Sequence, residues 1–187
     1  MTESTRDRML DSTIRMLAAG GYQGASFSTV LERANAPRGS IYHHFPGGKD
    51  ELVSRAIERS WERTAAHLES LRGGPATDVV AGFVALWRAL LVRADFEVGC
   101  SVLAVTVSAA DADIRIRAGD IFGAWQQLLA ELLVSGGVPA DRSKSLANLL
   151  LAACEGAVVL ARAQRSTEPL DAVERELLPL VAVSPQA

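Results

Sequence analysis

Between Ser28 and Lys49 the chain gathers side chains that grip phosphate and read base edges. Arg38 carries a planar fork that can pair with two acceptors on the edge of guanine. Gly39 and Ser40 follow it, then Tyr42, His43 and His44, so donors and aromatic edges crowd into a few positions. Upstream, Ser28 and Thr29 bring hydroxyls able to donate to phosphate oxygens. Lys49 stands beside Gly48 at the start of a long amphipathic stretch, where free N–H groups and the helix dipole favour an anion. The chemistry on offer is the recognition of a polyanion. His43 and His44 are a poor metal pair, because neighbours on a helix diverge by about 100°. Cys100 and Cys154 match no metal-ligand spacing. There is no Gly-rich phosphate loop, His-Glu-x-x-His, nucleophile elbow or Cys-Cys-His cluster, so neither an enzyme nor a bound cofactor or metal is expected.

Short helices must position these groups. Ser26 can cap a helix whose apolar face is Val30, Leu31 and Ala34. Asn35 tolerates the left-handed turn conformation, and Pro37 is suited to open the next helix because a first-turn position needs no N–H. Ile41 and Phe45, at i and i+4, tuck that helix against the first and leave Arg38, Gly39, Ser40, Tyr42, His43 and His44 outward. This is a helix-turn-helix, whose second helix suits the DNA major groove. Ser4 or Thr5 caps an earlier helix with Leu10, Ile14 and Leu17 inward, stopped by Gly20-Gly21. Tyr22 and Phe27 are expected to help close the three-helix core. A domain of about 48 residues is small and should lean on the connector helix that runs from Gly48 to about Leu71.

Ala, Leu, Arg and Glu dominate the 187 residues and strand-like alternation is nearly absent, which predicts an all-α protein. At 49% hydrophobic the chain can bury a core. The net charge of −3 is unevenly placed: residues 1–49 hold six basic and four acidic side chains, and the other 138 hold thirteen and eighteen. A mildly basic tip on an acidic body is compatible with local phosphate contacts. The polar N-terminus, the two scattered cysteines and the lack of an uninterrupted apolar run of about 18 residues predict a cytoplasmic protein with no membrane span. After Gly73-Gly74-Pro75, helices are expected from about Thr77 to Arg93, from Gly99 to about Ala110, from Asp111 or Asp113 to Gly136, from Pro139 to about Arg165, and from Asp171 to Val181. Leu149, Ala153, Gly156, Ala157 and Leu160 are assigned to the core. Ala152, Val159, Ala163, Leu177 and Leu180 are left over, either for a four-helix seam between two copies, the favoured reading, or to be covered within one chain.

Ser40 to Phe45 (Ser-Ile-Tyr-His-His-Phe) and Gly47 to Leu52 (Gly-Gly-Lys-Asp-Glu-Leu) closely resemble the end of the DNA-binding domain of TetR-type transcriptional repressors. The likeness spans residues 5 to 53. It departs at Pro37, where that family more often has a capping Ser or Thr. The resemblance implies a DNA-binding domain over 1–48 and an effector-binding and dimerisation bundle over 49–187. It also implies that Tyr42 and His43 reach phosphates and base edges, that Lys49 opens the connector, and that the protein is a homodimer on a palindromic double-stranded operator. Gly99-Cys100-x-Val102 resembles the effector domain of the LmrA/YxaF-like subgroup, itself similar to drug-responsive exporter repressors. A small hydrophobic effector is therefore expected, with Phe83, Trp87, Phe96, Cys100, Leu103, Phe122, Trp125, Cys154 and Glu155 as candidate pocket residues. Glu155 interrupts an apolar run, so it needs an internal Arg, a cationic ligand or a solvated edge. Repression relieved by ligand is the family default.

Overall fold

A computed structural model describes residues 4–182. Helices are the regular structure among the described residues: α1 (Thr5–Gly24), α2 (Phe27–Arg33), α3 (Ser40–His44), α4 (Gly48–Glu69), α5 (Ala76–Arg93), α6 (Ser101–Ser108), α7 (Ala112–Ser135), α8 (Ala140–Gln164) and α9 (Glu168–Val181). The all-α reading of the sequence is correct. Two compact units are formed, and their boundaries fall inside α4 after Glu62, between Gly99 and Cys100, and inside α7 after Phe122.

The first unit contains α1, α2, α3, α4 to Glu62, α6 and α7 to Phe122. Ser4 caps α1 by accepting the Asp7 N–H at 3.1 Å. Gly21, at φ 65° and ψ −165°, interrupts the helix where the Gly20-Gly21 pair predicts a stop. Met9, Leu10, Leu17, Val30, Leu31, Ile41 and Phe45 make the core and are joined by the fully buried Leu52, Val53, Ala56 and Ile57 of α4. The small domain does lean on its connector. Arg59 of α4 reinforces this by bonding Asp7 and Asp11, each at 2.8 Å. Tyr22 and Phe27, expected in the core, are half-buried at its edge. Both have polar or aromatic work there, described below. The α6 helix packs on α1, a pairing without a local signal in either segment.

The second unit holds the rest of α4 and α7 with α5, α8 and α9. The predicted inner stripe of α5, Val80, Phe83, Val84, Trp87 and Leu91, is buried throughout. Gly136 accepts the Ala76 N–H at 3.1 Å, fastening the end of α7 to the start of α5. Pro169 lies in the first turn of α9, so that helix starts at Glu168, three residues before the predicted Asp171. A proline there loses no hydrogen bond. On α8 the inward residues are Leu146, Leu150, Leu151, Cys154, Glu155, Ala157, Val158 and Ala161. By length and composition this helix is apolar enough to cross a membrane, but half of its most apolar window is buried within the protein, as in a core helix. The inward phase corrects the sequence assignment. Leu149 (46% exposed), Leu160 (52%) and Gly156 face outward, whereas Leu177 of α9 is buried. One extra apolar residue on either side shifts the apparent stripe by a full 100°, and α8 is apolar on nearly every side.

Candidate nucleic-acid interface

The candidate DNA surface is built on α2, the turn after it, and α3. Ser26 caps α2 by accepting the Thr29 N–H at 3.2 Å. Its hydroxyl also meets Ser28 Oγ at 3.0 Å and Thr29 Oγ1 at 2.8 Å, so three hydroxyls cluster at the start of α2. Ser28 is exposed and Thr29 half-buried. The turn follows with Asn35 in the left-handed region at φ 47°. The predicted helix opening at Pro37 is replaced by a tight turn: the Ser40 N–H and hydroxyl both donate to Pro37 O, at 3.0 and 2.6 Å, and α3 begins only at Ser40. Arg38 and Gly39 therefore lie on the turn, both exposed.

Ile41 and Phe45 are almost completely buried and fix the roll of α3. That roll turns Tyr42 outward, 63% exposed, with its ring edge-on to Phe27 at 5.7 Å. His43 is exposed and His44 half-buried, their rings 5.1 Å apart. Arg38, Gly39, Tyr42 and His43 thus share the accessible side, while Ser40 has committed its hydroxyl to the turn and His44 sits against the Phe45 ring.

At the start of α4 the backbone is less open than the sequence suggests. Gly48, at φ 75°, donates its N–H to Phe45 O at 3.0 Å, and Glu51 accepts the Gly47 N–H at 2.8 Å. Two donors expected for an anion are thereby satisfied. Lys49 is half-buried and rests its ammonium 4.2 Å from the centroid of the Tyr22 ring. Burial pulls its pKa below the usual lysine range, with the Asp50 carboxylate opposing. The Tyr22 hydroxyl donates to Asp50 Oδ1. Burial first, and that bond second, push the Tyr22 phenol up to about 12. Sequence reasoning placed Tyr22 in the core and did not foresee its contacts with Lys49, Asp50 and Ser108. The Gly20-Gly21 pair before Tyr22 was the available hint, since a glycine at positive φ often marks a close approach of backbones.

The candidate pocket residues divide between the units. Cys100, Leu103 and Phe122 are in the first, where Cys100 Sγ caps α6 by accepting the Leu103 N–H at 3.3 Å. In the second, Phe83, Trp87 and Trp125 pack edge to face with centroids 6.1 Å apart at each step. Cys154 and Glu155 are buried on α8, and burial drives the Cys154 thiol far above its ordinary range, the state of an inert, packed thiol. Phe96 lies on the loop after α5 with Arg165 over its ring, beside an open groove of about 450 Å³ lined also by Glu97, Val159, Arg162 and Ala163.

Residues 9–56 match the family model for bacterial regulatory proteins of the tetR family, and residues 76–176 match that for the C-terminal domain of LmrA/YxaF-like transcriptional regulators. The HTH-type transcriptional regulator Rv0196 of Mycobacterium tuberculosis is 35% identical over 94% of this chain and 93% of its own length. LmrA of Bacillus subtilis is 25% identical over 89% and 90%. In fold, a TetR transcriptional regulator from Legionella pneumophila superposes with a TM-score of 0.84, at 22% identity, over 97% of this chain and 99% of that one. An exposed face on a buried two-residue anchor, preceded by a capped helix, is compatible with such a regulator, and each relative named is described as a transcriptional regulator. The chain belongs to the TetR family of transcriptional regulators, with a helix-turn-helix domain at its N-terminus and an LmrA/YxaF-like C-terminal domain.

Proposed function

We propose that this regulator is a cytoplasmic homodimeric repressor that holds a palindromic operator near the genes it controls, such as those of an exporter, and lets go when a small hydrophobic effector binds. The observation that carries the DNA contact is the exposure of Arg38 on the turn and of Tyr42 and His43 on α3, whose roll is fixed by buried Ile41 and Phe45. Arg38 reads guanine, Tyr42 and His43 contact phosphates and base edges, and Ser28, Thr29, Gly39 and Lys49 add backbone contacts. Ser40 and His44 assist from the margin. The dimer reading is supported by the exposed stripe Leu149, Ala152, Gly156, Val159, Leu160 and Ala163 along α8, which repeats at helical spacing and leaves apolar surface in water. Two-fold symmetry would place two α3 helices about 34 Å apart, one turn of DNA.

The continuous α4 helix supplies the route for release. An effector held by residues such as Phe83, Trp87, Trp125 and Glu155 would tilt α4 and change the half-site spacing. A complete switch requires the effector to prefer the released form by about 10⁴-fold. The first test is selection of a duplex from a random-sequence pool, followed by binding measurements on Arg38→Ala and Tyr42→Ala. Arg38→Ala should cost about 1–3 kcal/mol and relax the preference at one base pair in each half-site. Tyr42→Ala should weaken binding to every sequence through its phosphate contact, and further to those whose base edges it touches. Recovery of no preferred duplex, or undiminished affinity in both variants, would refute the reading.

A further inference from the structure

Three interactions converge on Tyr22, two from the start of α4 and one from the end of α6. Its ring carries the Lys49 ammonium at 4.2 Å. Its hydroxyl donates to Asp50 Oδ1, and its backbone N–H donates to Ser108 Oγ at 2.8 Å. The Ser108 hydroxyl donates in turn to Ala104 O, one turn back along α6, at 2.5 Å. The neighbouring Gly21 leaves no slack in this junction: a Cβ there would meet Ser108 Oγ at 2.7 Å. Among the described residues the Lys49 ammonium makes no ion pair, although a carboxylate is its immediate neighbour in sequence. Neighbours on a helix diverge by about 100°, and Tyr22 spans the gap between these two, engaging the carboxylate through its hydroxyl and the ammonium through its ring face.

We propose that Tyr22 is a positioning residue for DNA binding: its ring orders Lys49 for contact with a phosphate, Asp50 fixes its hydroxyl, and Ser108 of α6 sets where its backbone stands. The inference rests on the assignment of Lys49 as a phosphate contact made above. A lysine ordered on an aromatic face gives up less rotamer freedom when it binds than one that is free in water. Through the Ser108 bond, any displacement of the end of α6 changes the placement of the phosphate contact.

The test uses the full-length protein and a duplex selected from a random pool by the wild type, with affinity followed across a range of salt concentrations. Lys49→Ala should lower the slope of log affinity against log salt by about one phosphate contact per protomer. Tyr22→Leu should weaken binding by about 2- to 5-fold, the worth of an exposed cation–π contact, and lower the slope in the same direction. In the Lys49→Ala background it should have no further effect. Ser108→Ala should show a smaller loss with the same dependence on Lys49. Tyr22→Phe, which keeps the ring and frees Asp50, should fall between wild type and Tyr22→Leu, and it carries the test together with Ser108→Ala if the leucine variant does not fold. Equal losses with and without Lys49 would overturn the proposal and leave Tyr22 a merely structural residue. An unchanged salt slope in Lys49→Ala, with Arg38→Ala still impaired, would overturn it by removing the phosphate contact while sparing DNA recognition. Selection of no duplex at all would remove the DNA-binding reading itself.

Discussion

Tyr22 makes its hydroxyl a better acid when the protein unfolds than when it is folded. Its folded pKa of about 12 lies above the ordinary 10, so the neutral phenol is favoured by the fold. The associated stability is therefore present in full below pH 10 and is lost as pH rises from 10 to 12. After discounting for partial solvent exposure it amounts to about 1 kcal/mol. Chemical denaturation from pH 9 to 12 should show wild type losing its advantage over Tyr22→Phe across that window, and a constant difference would contradict the assignment. At this scale the sequence was legible where a residue's role is set by its immediate neighbours. Ser26 as a cap, Asn35 in a left-handed turn, and Ile41 with Phe45 as anchors all follow from spacing alone. Tyr22 was not legible, because its partners Asp50 and Ser108 are 28 and 86 residues away.

Helices were legible in existence and, for most, in inner face, because apolar residues at i, i+3 and i+4 leave few alternatives. Departures have local causes. The Pro37–Ser40 turn delays α3 because Ser40 spends both its donors on Pro37 O. Proline in a first turn advances α9. The α8 face was misassigned because its apolar residues surround the helix. Close approaches between elements are also invisible in sequence, and two glycines separate their costs. A Cβ at Gly136 would lie 2.4 Å from the backbone nitrogen of Ala76, whereas one at Gly82 would meet the end of the Leu71 side chain at 2.5 Å. Backbone cannot step aside and a leucine methyl can. Gly136→Ala should destabilise by the upper part of the about 1–3 kcal/mol range for overpacking. Gly82→Ala should be near neutral, since the strain is offset by up to about 1 kcal/mol of helix propensity. Urea denaturation of both variants checks the contrast, and equal losses would contradict it.

For the whole molecule, the surplus positive charge of residues 1–49 and the acidic remainder were readable from composition, as was the family resemblance that the comparisons bear out. Which side of α8 is left in water was not, since it depends on how α5 and α9 cover the other side. If that exposed stripe joins two copies, Val159→Asp with Leu160→Asp should yield a monomer in sedimentation. Its helical circular dichroism should be unchanged, because both side chains are about half exposed. Its affinity for the selected duplex should fall by orders of magnitude, as each half-site is then bound alone. Persistence of the dimer would move the seam elsewhere. The aromatic cluster of the second unit has a consequence of a different kind. Trp87 and Trp125 stand nearly perpendicular, at 85° and 6.1 Å, and the Trp87 indole N–H has no hydrogen-bond partner among the described residues. Two indoles this close couple their electronic transitions, so the protein carries a built-in chromophore pair in the unit proposed to sense effectors. A guest that shifts either ring would alter the ultraviolet exciton signal, so effectors can be screened optically with no dye and no DNA.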